Sequence, residues 1–204
     1  MSATLLLAST SPYRRRLLER LGLPFAVEEP RVDEGALADE APAERALRLA
    51  RAKAAAVSVR HPQALVLGSD QVAELAGTIL DKPGDAAGCL AQLSASSGRA
   101  VAFHTAVVLT RGEPAIRREH VDHTVVRFRE LDRARIAEYV LRDAPHDCAG
   151  GFRAEGLGSA LFDSVETRDP SALIGLPLIW VAAALAACGL DPLSPVALAG
   201  DAAR

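Results

Sequence analysis

The sequence predicts an α/β fold, in which a sheet is flanked by helices. Short apolar runs typical of strands alternate with amphipathic, capped helical segments along the chain. Half of the 204 residues are hydrophobic and 24% are charged, a balance that supports a packed core and argues against disorder. We find no internal repeat and no low-complexity linker. We therefore expect one domain over residues 1–190, followed by a C-terminal tail over residues 191–204.

The first part of the chain supplies strands and helices in alternation. In chain order the predicted elements are a strand at 4–8, a helix at 12–21, a strand at 25–27, a helix at 42–59 and a strand at 64–67. Ser11 suits the N-cap of the first helix and Pro12 its first position, while Gly22 follows its end. The last strand is wholly apolar and runs directly into Gly68-Ser69-Asp70-Gln71.

The second part of the chain begins with a hairpin whose turn is Ala76-Gly77. The elements predicted after it are a helix from about Lys82-Pro83 to Leu93, two long strands at 99–110 and 115–129, a helix at 133–142, a strand at 159–165 and a helix at 178–188. Pro177 and Gly189 bracket the last helix in the positions that Pro and Gly favour. The segment 144–158 is rich in glycine and polar residues, which predicts a functional loop.

Charge and cysteine content exclude several classes of protein. A net charge of −3 offers no attraction to nucleic acid or to an anionic membrane. Three widely spaced cysteines without a Cys-x-x-Cys pair argue against a disulfide framework and indicate a reducing, cytoplasmic location. The uncharged run 173–190 contains too much Gly, Pro and Ala for a membrane span, so we expect a core helix. His146 and Asp147 beside Cys148 raise the alternative of a thiol nucleophile.

Two cations lie on the apolar faces of predicted helices. Arg14 falls in the first turn, on the face that carries Leu17, Leu18 and Leu21. An arginine at the inward side of a helix N-terminus can bind phosphate, although an internal ion pair would also explain it. Lys53 lies inside the apolar stripe of the helix predicted at 42–59, where it indicates either a snorkelling side chain or a cleft.

Asp70 follows a buried strand, where a carboxylate suits the ligand-binding edge of an α/β sheet but could also cap a turn. Together with Arg14, Lys53 and Lys82, it has the charges that a metal-bound polyphosphate requires. An acidic residue from Asp33-Glu34 could join it to hold the metal or to activate water. The signatures of P-loop, Rossmann and zinc-protease sites do not occur in the sequence.

These residues belong to motifs that extend along nearly the whole chain. The motifs are Leu5–Leu21 (LLLASTSPYRRRLLERL), Val32-Asp33-Glu34, Lys53, Gly68-Ser69-Asp70-Gln71, Asp81-Lys82-Pro83, Asp147-Cys148-Ala149-Gly150 with Glu155-Gly156, and Leu173–Ile179 (LIGLPLI). In these motifs the chain resembles the Maf family of nucleotide pyrophosphatases. The resemblance implies an elongated mixed sheet of the Maf/inosine-triphosphatase kind, flanked by helices, with two lobes and a central cleft.

The resemblance also implies an activity and roles for residues. The activity is hydrolysis of the α–β bond of a nucleoside triphosphate, with Mg²⁺ or Mn²⁺ as cofactor and a small-molecule nucleotide as partner. Asp70 would be the general base, Glu34 would join Asp70 at the metal, and the phosphates would be held by Ser9, Arg14, Arg15, Lys53 and Lys82. The sequence leaves a homodimer open.

Three further positions bear on the base. Tyr13, Gln71 and Glu155 resemble the subgroup that acts on 7-methyl-GTP, whose cationic base suits an aromatic ring and a carboxylate. The alternative for these residues is that Tyr13 only packs and Glu155 only pairs with Arg153, a position where lysine is commoner in the subgroup. Two other functions stay open: a dTTP/UTP pyrophosphatase, and a nucleotide-binding regulator of cell division without turnover.

Overall fold

The computed structural model describes residues 4–194, which form a mixed seven-stranded sheet and five α-helices. The elements in chain order are β1 (Leu5–Ala8), α1 (Pro12–Glu19), β2 (Ala26–Glu28), α2 (Pro42–Ser58), β3 (Leu65–Leu75), β4 (Thr78–Leu80), α3 (Ala86–Ser96), β5 (Ala100–Arg111), β6 (Ile116–Phe128), α4 (Arg133–Asp143), β7 (Phe162–Glu166) and α5 (Leu178–Ala186). Short 3-10 turns lie at Ala149–Gly151, Leu157–Leu161 and Ala172–Ile174. In this described part of the chain, no helix has both the length and the apolar character needed to cross a membrane.

One edge of β3 has a gap in its pairing. The strand order is β2-β1-β3-β5-β6-β7, and β4 pairs with β3 on the same side as β1. Parallel pairing with β1 ends at Gly68, and antiparallel pairing with β4 begins at Ala73. On its other side β3 pairs continuously with β5 from Val66 to Glu74. Residues 69–72 are therefore held on one side only and face an opening on the other.

Three hydrophobic clusters divide the molecule into two lobes. In lobe 1, α1 and α5 cover one face of β1, β3 and β5, while α2 covers the opposite face. In lobe 2, α3 and α4 pack over the far ends of β3, β5 and β6. The three long strands run through both lobes. The predicted two-lobed, mixed α/β architecture is therefore present.

Side-chain caps explain where several helices begin. The Ser11 side chain accepts a hydrogen bond from the Arg14 backbone N–H at the start of α1. Asp85 and Asp132 cap α3 and α4 in the same way. Each cap satisfies a backbone N–H that the first helical turn would leave unpaired.

The structure corrects three boundaries. Asp70 does not end a strand, because β3 continues through it to Leu75. The strand predicted at 159–165 begins only at Phe162, since a 3-10 turn occupies the residues before it. The last helix begins at Leu178 as predicted, with Pro177 as its N-cap residue, but it ends at Ala186, two residues earlier than predicted. Most of the predicted tail, residues 195–204, lies outside the described residues.

Candidate active site

A cleft of about 500 Å³ lies at the gap in the β3 edge and is lined by both lobes. Lobe 1 contributes the segment after β1, the start of α1 and one face of α2. Lobe 2 contributes the segment after β4 and part of the 144–158 loop. The β3 residues that line the cleft are Asp70, Gln71 and Val72, all within the unpaired stretch. The gap in the sheet is thus what opens the interior to a ligand.

Lys53 joins two carboxylates at the centre of the cleft. Its Nζ lies 2.7 Å from Asp70 Oδ1 and 2.7 Å from Glu34 Oε1. Lys53 and Asp70 are both buried, with 5% and 7% of their surface exposed. Burial favours the neutral form of Glu34, but the hydrogen bond and charge of Lys53, with Lys82 and Arg14, hold its pKa below the ordinary value. Glu34 therefore stays ionised at neutral pH.

Gly68 permits this contact between α2 and β3. A Cβ atom at Gly68 would lie 2.5 Å from the Ala50 carbonyl oxygen and 2.7 Å from the Ala54 backbone nitrogen. Both atoms belong to α2: Ala50 lies about one turn before Lys53, and Ala54 directly follows it. Only glycine lets the helix come this close to the strand, and this close approach lets Lys53 reach Asp70.

Arg14 reaches Asp70 from the opposite face of the sheet. Its Nη2 lies 4.0 Å from Asp70 Oδ1, and its Nε donates a 3.0 Å hydrogen bond to the Gly175 carbonyl oxygen. Ser69 donates to the same carbonyl at 3.0 Å. Burial lowers the pKa of Arg14, while the charges of Asp70 and Glu34 oppose that effect. Gly175 thus orients a largely buried guanidinium toward the carboxylate.

The remaining predicted phosphate ligands are placed differently from one another. Ser9 is buried directly after β1, and its Oγ accepts a hydrogen bond from the Ser11 N–H. Lys82 is exposed and lines the cleft from the side of lobe 2. The structure does not bring Arg15 to the cleft. Its side chain is 63% exposed and pairs with Glu19 along α1 at 2.9 Å.

Tyr13 projects from the start of α1 toward the 144–158 loop. Its hydroxyl accepts a 2.9 Å hydrogen bond from Arg153 Nε and donates to the carboxylate of Asp147 at 3.2 Å. Burial and the neighbouring Cys148 raise the pKa of Tyr13, so the hydroxyl keeps its proton. Burial also raises the pKa of Cys148 to about 11, and a thiol that remains protonated makes a poor nucleophile.

Gln71 and Glu155 both line the cleft. Gln71 Nε2 donates to Thr105 Oγ1 at 2.9 Å and to the Ala172 carbonyl at 2.9 Å, which fixes the orientation of the amide. Glu155 is exposed. Among the described residues Glu155 makes no ion pair with Arg153, whose acidic partner is Asp147 at 3.3 Å. Within residues 4–194, the alternative that Glu155 only pairs with Arg153 is therefore wrong.

Known proteins are similar to this chain over most of its length. The model of the family described as Maf-like protein matches residues 4–188. The chain belongs to the Maf-like family. A protein of Albidiferax ferrireducens named 7-methyl-GTP pyrophosphatase is 48% identical over 93% of this chain and 95% of its own. Proteins of the same name from Xanthomonas oryzae pv. oryzae and Aromatoleum aromaticum are each 51% identical, over 93% and 91% of this chain and 98% and 96% of theirs. Among solved structures, the Staphylococcus aureus Ham1 protein matches with a TM-score of 0.43 and 13% identity, over 61% of this chain and 71% of that one.

The acidic side chains of this Maf-like chain bear on whether the cleft can hold a metal ion. Across residues 4–194, no group of three or more His, Cys, Asp or Glu side chains is arranged to hold an ion. Asp70 and Glu34 nevertheless each place a carboxylate oxygen 2.7 Å from Lys53 Nζ, so the two carboxylates are neighbours. Two carboxylates fit a hard cation whose other ligands are phosphate oxygens and water.

Sequence reasoning missed several residues of the cleft. Arg45 precedes Leu49 and Lys53 at helical spacing, all three line the cleft, and Arg45 pairs with Asp81 of lobe 2 at 3.2 Å. That spacing was a usable signal. Arg153 lies in the 144–158 loop with its partner Asp147. Loop residues carry no periodicity, so no sequence signal connects them to Tyr13.

Proposed function

We propose that this protein is a nucleoside triphosphate pyrophosphatase that cleaves the α–β phosphate bond and acts on 7-methyl-GTP. The observation that carries the proposal is the convergence of Arg14, Lys53, Glu34 and Asp70, from four separate segments, in one cleft, with Lys53 between the two carboxylates. Relatives at about half identity are named 7-methyl-GTP pyrophosphatase. The charges suit a polyphosphate, and the relatives supply the substrate class.

The triphosphate binds where the cations gather. Arg14 and Lys53 approach from opposite faces of the sheet, and Lys82 approaches from lobe 2. Ser9 and the first turn of α1 add donors that favour an anion. We give Arg15 no role, because its side chain is directed to Glu19. This arrangement holds the phosphates in a fixed orientation, which is the main requirement of phosphoryl-group chemistry.

Asp70 is the general base. Among residues 4–194, the hydrogen bond to its carboxylate comes from Lys53 and ends on Oδ1, which leaves Oδ2 without a hydrogen-bond partner. Oδ2 can therefore take a proton from the attacking water. Glu34 and Asp70 are the side chains that would hold a divalent cation. Mg²⁺ or Mn²⁺ bound there would neutralise charge on the phosphate oxygens.

The base lies toward Tyr13, Gln71 and Glu155. The ring of Tyr13 offers a π face to a cationic N7-methylated guanine. The carboxylate of Glu155 can accept N–H bonds from the guanine edge and oppose its charge. Burial opposes the ionisation of Asp147, but hydrogen bonds from Arg153 and Tyr13 keep its pKa low. Asp147 pairs with Arg153 at 3.3 Å, so this pair adds no net charge beside Tyr13. A neutral pyrimidine gains neither from the cation–π contact with Tyr13 nor from the charge of Glu155.

Pyrophosphate release with Mg²⁺ or Mn²⁺, measured across 7-methyl-GTP, GTP, dTTP and UTP, tests the proposal. We expect 7-methyl-GTP to be the preferred substrate and D70N to lower kcat by about 10²–10⁴ while nucleotide binding persists. D163N is the matched control, because Asp163 is an exposed carboxylate of β7. Preference for dTTP or UTP would refute 7-methyl-GTP as the substrate. Binding without turnover in the wild type would favour the regulator instead.

Further aspects of the proposal concern the setting of the enzyme. We place it in the cytoplasm, a location supported by three free cysteines. Residues 1–190 would act as a single catalytic domain. The nucleotide would be its partner, without nucleic acid or membrane. A homodimer stays a prediction, which sedimentation of the purified protein tests directly.

A further inference from the structure

Arg153 donates five hydrogen bonds at the point where the two lobes meet. Its Nη1 donates to the Asp143 carbonyl at 2.7 Å and its Nη2 to the Ala144 carbonyl at 3.1 Å. These carbonyls end α4, where a cation is favourable. The remaining two side-chain bonds go to Asp147 and, from Nε, to the Tyr13 hydroxyl at 2.9 Å. The Arg153 backbone N–H donates to Tyr139 at 3.0 Å. Both ends of this residue are therefore anchored within lobe 2.

Tyr13 belongs to lobe 1, so its hydroxyl is bound across the cleft. Arg153 donates to the hydroxyl oxygen, and the hydroxyl donates its proton to Asp147. The Cys148 thiol also donates to the hydroxyl oxygen, at 3.6 Å, so three contacts fix the position of the Tyr13 hydroxyl. Arg153 and Asp147 also pair with each other at 3.3 Å, so the cluster adds no net charge beside the base.

We propose that Arg153 is a positioning residue for the base subsite. It holds the hydroxyl end of Tyr13 at a fixed place in the cleft, and it sets selectivity for the base through Tyr13 without contacting the nucleotide. This inference rests on the proposed function, because it assumes that Tyr13 contacts the base. A fixed ring discriminates better than a mobile one, since an aromatic contact with a cationic base depends on the ring's orientation.

Selectivity, taken as the ratio of kcat/KM for 7-methyl-GTP to that for GTP, tests this role. We expect R153M and Y13F each to lower the ratio about tenfold. The double variant should fall no further, because both changes remove the same hydrogen bond. R129M is the matched control. Arg129 donates to a backbone carbonyl of lobe 2 at 2.7 Å, and it lies outside the cleft. A ratio in R153M that matches that of R129M, even with a lowered Tm, would overturn the proposal.

A second measurement does not depend on turnover. The chain has two tyrosines, so 3-fluorotyrosine labelling gives two fluorine resonances, and Y13F assigns the one from Tyr13. We expect that resonance to move and broaden in R153M and to stay unchanged in R129M. An unmoved resonance would overturn the proposal. If the wild type fails to hydrolyse 7-methyl-GTP, the proposed substrate is wrong, and the resonance alone then decides whether Arg153 holds Tyr13.

Discussion

Replacing Lys53 by Met should destabilise the protein by about 3 kcal/mol at neutral pH. Lys53 is 5% exposed and contacts Asp70 and Glu34 at 2.7 Å each. Without the ammonium group, Asp70 remains buried and its nearest cation is Arg14, at 4.0 Å. Leaving one partner of a buried pair uncompensated costs about 3–5 kcal/mol. The remaining attraction to Arg14 keeps the loss near the lower end of that range.

Urea unfolding at pH 7 measures this loss through the free energy of unfolding. D70N should rescue K53M, because the double variant leaves no uncompensated charge at position 70. We expect the double variant to be more stable than the sum of the single losses by about 1–3 kcal/mol. R51M is the control on the same helix. It removes an exposed pair with Glu119 and should cost less than about 1 kcal/mol. A loss in K53M equal to that in R51M, or strict additivity with D70N, would refute the reasoning.

Three other changes have definite expected outcomes. G68A should lower the unfolding free energy by about 1–3 kcal/mol, lower Tm and reduce activity, because the added Cβ pushes against the Ala50 carbonyl. Unchanged activity would contradict the close approach of α2. The difference in unfolding free energy between wild type and E34Q should be constant above pH 4.5 and should shrink as pH falls through the lowered pKa of Glu34. Urea unfolding between pH 3 and 7 measures this difference. A difference that grows toward acid would contradict the ion pair with Lys53. C148A should keep pyrophosphate release within about threefold of the wild type, since a thiol with a pKa of about 11 carries little thiolate at pH 8. Loss of all pyrophosphate release would support Cys148 as a nucleophile.

The sequence predicted most of the fold because its helices begin at a side-chain cap or a proline, and because β1 and the first part of β3 are apolar. Ser11 and Pro12 begin α1 as expected, and α2 begins at Pro42. The error at β3 has a physical cause. The apolar run ends at Leu67 because the following residues face the cleft, while the strand itself continues through them to Leu75. Polarity there marks the beginning of the cleft and not the end of the strand.

The charged centre was predictable for the same reason. Arg14 and Lys53 lie on apolar helix faces, where an unpaired charge would be costly. Glu34 comes from an irregular segment without periodicity, so the residues alone narrowed it only to the pair Asp33-Glu34. Arg153 was beyond prediction, because its contact with Tyr13 depends on how the 144–158 loop folds back against α1.

The long strands also determine how the protein can move. β3, β5 and β6 are 11, 12 and 13 residues long and pass from lobe 1 into lobe 2 without interruption. Opening the molecule like a clam shell would require bending this shared spine against its ladder of backbone hydrogen bonds. We therefore expect the nucleotide to enter, and pyrophosphate to leave, past Asp81, Lys82 and the part of the 144–158 loop that lines the cleft. On this reasoning we expect turnover to depend on these two loops more than on rotation of one lobe against the other.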